Sequence, residues 1–240
     1  MRTEHISRQY DLELDELGRK LGEFGSTVEA EIAATIAAVK NLGLRIPVAN
    51  QAKADAAAMH RAVEYHAILI IVRRQPMAVD LREILGAFKT SQHLEQVRYF
   101  AGAIARQACA VDRTGCPRLL LAEFERLLEL VRNHHRATLA AYLARDINGS
   151  ASTSLRSSQI IQSCDAFIGR VLVLMKSGPD RISIGAVLLN CSHHIAGICK
   201  QLNCVAETAY FVVEGRPPSP NATIDDAPPI ALRLPMFDEV

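Results

Sequence analysis

Apolar side chains recur every three or four residues along almost the whole chain up to Gly215, the spacing of helices with one buried face. Leu12, Leu14, Leu17, Leu21, Val28, Ile32 and Ile36 predict a first helix from about Ser7 to Leu42, which Gly43 and Pro47 break. A second helix is expected from about Ala49 to Arg73 and a third from Pro76 to about Val111. Pro76 suits a first helical position, where its missing N–H costs nothing. Asp80 then complements the helix dipole, and Leu81, Ile84, Leu85 and Phe88 form the apolar face. The corner Thr114-Gly115-Cys116-Pro117 separates the two halves.

A fourth helix is predicted over Arg118 to Arg145, and Asn148 to Ser154, rich in Ser and Gly, reads as a flexible loop by composition. A fifth follows from about Leu155 to Lys176. Gly178-Pro179 announces a sixth that ends near Gly215. Arg216 to Val240, rich in Pro, Ala and Asp, reads as a tail with little fixed structure. The halves repeat weakly: sliding the third helix onto the sixth aligns His93 with His194, Leu94 with Ile195, Val97 with Ile198 and Ile104 with Val205.

Charge and composition narrow the function classes. A net charge of +1 over 240 residues gives no long-range field for nucleic acid or an anionic membrane. The longest apolar run, Ala67 to Val72, is too short to cross a bilayer, and the charged N-terminus lacks a signal-peptide apolar region. A cytoplasmic protein is expected. The six cysteines show no CxxC spacing, so they read as small buried hydrophobes rather than a zinc or redox site. The neighbours His134 and His135, like His193 and His194, diverge around a helix and do not face one ion; they read as polar-face or capping residues. No P-loop or nucleophile elbow is present, and an enzyme is not expected.

Several motifs stand in a recognisable order. They are His5 to Tyr10 with Leu12 to Leu17, Gln75-Pro76, Asp80-Leu81-Arg82, Lys89-Thr90, Leu94-Glu95, and Glu207 with Tyr210 to Gly215. Together they resemble the PhoU family of phosphate-transport regulators over about residues 4 to 215. The resemblance implies an all-α fold of two tandem three-helix bundles, here 1–113 and 114–215, followed by a disordered tail over 216–240.

The resemblance also implies metal chemistry. In the family, a Glu and an Asp four apart share one helical face and, with carboxylates of a neighbouring helix, hold a multinuclear cluster of divalent ions. Glu95 keeps the first position, while Tyr99 takes the second. On the neighbouring helix Lys53 and His60 stand where acids are usual. His60 and Glu64 are four apart, spaced either to pair with each other or to chelate, with Glu95 as a third ligand. A solvated polar face is the favoured reading of that set. In the second repeat Ala196 and Lys200 occupy the two positions, and Ser157, Ile161 and Cys164 lie where partner acids are expected. No ligands are carried over there, no cofactor is expected, and a divalent metal would be confined to the first repeat.

By resemblance the chain is a homodimer that contacts the ATPase subunit of the phosphate ABC transporter and the PAS region of a sensor histidine kinase. It restrains phosphate uptake and the starvation response, without nucleic acid or membrane insertion. A diverged scaffold outside the phosphate circuit is the alternative. Gln75, Asp80 and Arg82 form either a polar cluster at the helix junction or, as the favoured reading, a capping network.

Overall fold

The computed structural model describes residues 2–40, 50–109 and 116–216, with side chains over 9–40, 54–108 and 116–216. Gly43, Pro47, Thr114, Gly115, the Lys53 side chain and the tail beyond Arg216 lie outside the described residues. Among the described residues there are six α-helices, one 3-10 turn and no strand. They are α1 Arg2–Lys40, α2 Asn50–Arg74, α3 Ala78–Cys109, α4 Arg118–Leu143, α5 Ile147–Lys176 and α6 Ile182–Glu214.

Each helix forms because its apolar stripe has somewhere to go. Leu17, Leu21, Phe24, Val28, Ile32, Ile36 and Val39 of α1 are all buried at helical spacing. Leu12 is 55% exposed and lies outside this stripe, while Phe24 completes it. Ile160, Cys164, Phe167, Val171 and Leu174 do the same for α5, with Phe124 of α4 stacked on Phe167 at 5.7 Å between ring centroids. Full burial of each large apolar side chain stabilises by about 1.5–3 kcal/mol. The helical stretch from Pro179 to Glu214 contains an 18-residue window apolar enough, by length and composition, to cross a membrane. In the fold, α6 spends that apolarity on a core shared with α3, α4 and α5.

Helices α1, α2 and α3 form one up-down-up bundle, and α4, α5 and α6 form a second. Two antiparallel pairs join them. In one, Glu29 of α1 meets Arg132 of α4 at 3.3 Å and Gly22 backs onto Leu143. In the other, His93 of α3 meets Gln201 of α6 at 2.8 Å, while His194 of α6 stacks on Phe100 of α3. These last two contacts are images of each other in the register that pairs His93 with His194, so the bundles are related by an approximate two-fold axis. Three of the cysteines, Cys164, Cys191 and Cys199, are buried in this core as free thiols, as their spacing predicts.

Two boundaries differ from the sequence expectation. Helix α3 starts at Ala78 rather than Pro76. Gln75 adopts φ 48° and its N–H donates to the Ile71 carbonyl at 3.1 Å, closing α2. Pro76 therefore serves as a stop for α2, since it cannot continue the helix.

The Ser-rich stretch Asn148 to Ser154 is the start of α5 and not a loop. Asp146 caps it by accepting from the Gly149 N–H at 3.0 Å. The Ser150, Ser152 and Thr153 hydroxyls donate to helix carbonyls at 2.7–2.9 Å, turning loop-forming residues into helix-compatible ones.

Candidate functional site

Half-way along the first bundle, α1 and α3 meet in a charged contact. Glu95 and Arg98 are three apart on α3 and therefore share a face. Arg98 donates twice to Glu95, Nε to Oε2 at 2.7 Å and Nη2 to Oε1 at 2.5 Å. Its Nη1 lies 3.7 Å from Glu31 of α1. The guanidinium thus sits between two carboxylates, all three half-buried. Its hydrogen bonds with Glu95 raise the Arg98 pKa still further above its ordinary value. Neither Arg98 nor Glu31 was a sequence candidate. Their pairing links positions far apart in the chain and carries no local pattern.

The other first-bundle candidates do not converge on Glu95. His60 Nε2 lies 3.5 Å from Glu64, whose Oε1 accepts from Gln92 at 3.5 Å. Tyr99 is 57% exposed and meets Phe100 in an edge-type contact with ring centroids 5.8 Å apart. Among the described residues no group of three or more His, Cys, Asp or Glu side chains is placed to share one ion. In the second bundle Ala196 is half-buried and Lys200 is exposed.

What the second bundle holds at mid-height is neutral. His134 of α4 lies 2.7 Å from Ser157 Oγ of α5, and Ser157 donates to the Cys199 carbonyl of α6 at 3.1 Å. With the serine proton committed to Cys199, His134 Nε2 is the donor to Ser157. His135 Nε2 donates to the Gly25 carbonyl of α1 at 2.9 Å, tying the bundles together. Both histidines are fully buried, which corrects the polar-face expectation. Val131, His134, His135 and Thr138 continue the core stripe of α4, and only the polarity of imidazole hid them in the pattern. Burial pushes the His134 pKa down to about 4 and lowers that of His135 in the same sense.

The signature residues at the α2–α3 corner act as joints. Gln75 is exposed. Asp80, in the first turn of α3, faces Tyr10 of α1, whose phenol burial and this carboxylate push up to about 12. Leu81 is half-buried beside them. Arg82 reaches the opposite way: its Nε lies 3.5 Å from the Val212 carbonyl near the end of α6, where a cation complements the helix dipole. The same guanidinium covers Gly215, whose φ of 73° ends α6. The three polar residues therefore diverge to solvent, α1 and α6 instead of forming one cluster. Nearby, Leu14, Leu17, Tyr142 and Val212 line a cavity of about 260 Å³ with the Glu83–Arg145 ion pair beside it.

Comparison with known proteins agrees with this architecture. The phosphate-specific transport system accessory protein PhoU homolog of Rhizobium meliloti (strain 1021) is 30% identical over 225 residues, spanning 92% of this chain and 94% of its own length. This chain belongs to the PhoU family. The PhoU accessory protein of Escherichia coli (strain K12) is 24% identical over 219 residues, 89% of each chain. The crystal structure of PhoU from Pseudomonas aeruginosa covers 86% of this chain with a TM-score of 0.77 at 20% identity. That of the PhoU phosphate transport system regulatory protein from Streptococcus pneumoniae covers 88% with a TM-score of 0.76 at 16% identity. These two show the PhoU fold. No protein-family model matches the chain.

The multinuclear metal cluster implied by the PhoU resemblance does not fit the residues present. Hard divalent ions need several free anionic oxygens. Here the Glu95 carboxylate is held bidentately by a guanidinium, the second motif position is a phenol, and the second bundle offers an imidazole, a hydroxyl and an ammonium.

Proposed function

We propose that this PhoU-family protein is a cytoplasmic, non-catalytic regulator that restrains phosphate uptake and the phosphate-starvation response. It acts through contacts with the ATPase subunit of the phosphate ABC transporter and the PAS region of a sensor histidine kinase. Residues 1–113 and 114–215 act as its two repeats. The observation that carries this reading is similarity along almost the full length to accessory proteins of phosphate-specific transport. A regulator of this kind works by binding one partner conformation more tightly than another, and its effect is limited by that difference. Deletion of the gene is expected to raise phosphatase expression and phosphate accumulation in phosphate-rich medium. Unchanged values of both would overturn the reading.

The outer face of α2 supports a contact-based role. Tyr65, Ile68 and Val72 are 65%, 50% and 69% exposed at helical spacing, flanked by Arg61 and the half-buried Glu64. Such an apolar stripe suits a homodimer, because an isologous contact brings each residue near its own copy. Ile68→Asp is expected to halve the molecular mass measured by light scattering while leaving helicity intact. A dimer that survives this change would remove α2 from the interface.

The second reading is a diverged scaffold outside the phosphate circuit. Tyr99, Ala196 and Lys200, which depart from the family's acidic positions, favour it. Proximity of the gene to transporter and kinase genes supports the regulator, and isolation supports the scaffold.

A further inference from the structure

We infer that Arg98 is a built-in cation: its guanidinium, set between Glu31 and Glu95, occupies the one carboxylate that the metal motif keeps in the first repeat, so the first bundle is closed by the chain's own charge and is metal-independent. The geometry is that of a filled site. The planar fork of Arg98 engages Glu95 through two hydrogen bonds while its remaining edge faces Glu31 across 3.7 Å. A guanidinium stays charged at any pH a protein survives, so the site is never vacated by deprotonation. An incoming metal would have to displace this half-buried cation and meet its repulsion on the way.

The second bundle closes the equivalent place by other means. In the register that pairs His93 with His194, Arg98 pairs with Cys199. The Cys199 carbonyl ends the chain of hydrogen bonds from His134 through Ser157. One bundle is thus locked by an ion triad and the other by neutral hydrogen bonds. The first joins α1 to α3, and the second joins α4, α5 and α6. The inference rests on the family relationship and the side-chain geometry, and it is independent of the phosphate-regulatory reading.

The test uses the purified full-length protein, Arg98→Ala and Arg98→Lys. Metal content is measured by elemental analysis and Tm with chelator or with excess Mn2+. The wild-type protein is expected to carry no stoichiometric iron, manganese or zinc, and its Tm is expected to ignore both additions. Arg98→Ala removes the guanidinium that binds Glu95 and faces Glu31, and its Tm should fall by roughly 10 °C. Mn2+ should recover part of that fall, because an ion that binds only the folded state stabilises it. Arg98→Lys keeps the charge and should retain most of the Tm with no Mn2+ response. If Arg98→Ala fails to fold while the wild-type Tm ignores chelator, the need for an internal cation is supported. A wild-type Tm that drops on chelation, stoichiometric metal in the wild-type protein, or a folded Arg98→Ala blind to Mn2+ would each overturn the inference.

Discussion

Acidification from pH 6.5 to 4 is expected to remove on the order of 3 kcal/mol of folding stability through His134 alone. In the unfolded chain this imidazole binds a proton near its ordinary pKa of about 6.5. In the folded protein burial, reinforced by the nearby Arg156, defers that proton to about pH 4. Between those values the unfolded state holds more protons than the folded one, so stability rises with pH and falls on acidification. Below the folded value both states are protonated and the loss is complete. His135 acts in the same direction, its burial outweighing the Gly25 carbonyl that favours the proton.

The carboxylates held by arginine, Glu13 and Glu29, have lowered pKa values, so they lose their stabilising effect only at more acidic pH. The first wave of acid destabilisation therefore belongs to the histidines. Urea midpoints measured from neutral pH down to about pH 4.5 read it directly. His134→Leu should flatten the pH dependence, because Ser157 keeps its bond to the Cys199 carbonyl without the ring. A wild-type midpoint indifferent to pH over this range, or an equal slope in His134→Leu, would contradict the assignment.

Gly86→Val is expected to cost about 3 kcal/mol and to lower the Tm by roughly 6–12 °C. Gly86 lies where α3 crosses α6 at close range. A Cβ there would stand 2.3 Å from Val212 Cγ2 and 3.0 Å from the Tyr142 hydroxyl. Val212 is buried and branched at Cβ, so its χ1 has one favoured well in a helix and cannot swing aside. The helices must separate instead, and the loss exceeds the propensity gain of at most about 1 kcal/mol from replacing a helical glycine. Gly169→Ala is the control. Nothing lies within 4 Å of its Cβ, so it should gain that propensity and raise the Tm. Gly86→Val with wild-type stability would show that the α3–α6 crossing is looser than these distances imply.

The legible part of this protein is what short-range periodicity encodes. The α1 and α5 stripes, the break at Gly178-Pro179 and the stop at Gly215 follow from helical spacing and from residues whose backbone preferences are strong. The start of α5 was hidden because Ser, Gly and Asn signal turns by composition, whereas Asp146 and three hydroxyls supply the missing helix bonds. Pro76 was assigned to the wrong helix because one proline can open a helix or stop the one before it. The positive φ of Gln75 decides between them. At the charged contact, Glu95 was visible through its motif. Its occupancy by Arg98, and the approach of Glu31, depended on α1 and α3 lying side by side, which no local pattern records.

The antiparallel pairing of α3 with α6 also sets an order of events on the ribosome. The partner faces are about a hundred residues apart in the chain, in the register that pairs His93 with His194. At roughly 5–20 residues per second, α3 leaves the exit tunnel about 5–20 s before its counterpart does. For that interval the first bundle shows the nascent-chain environment an apolar seam that the finished protein never displays. Slow synthesis over α4 and α5 should therefore increase capture by chaperones, and the same seam is where a truncated product would stick to its own kind.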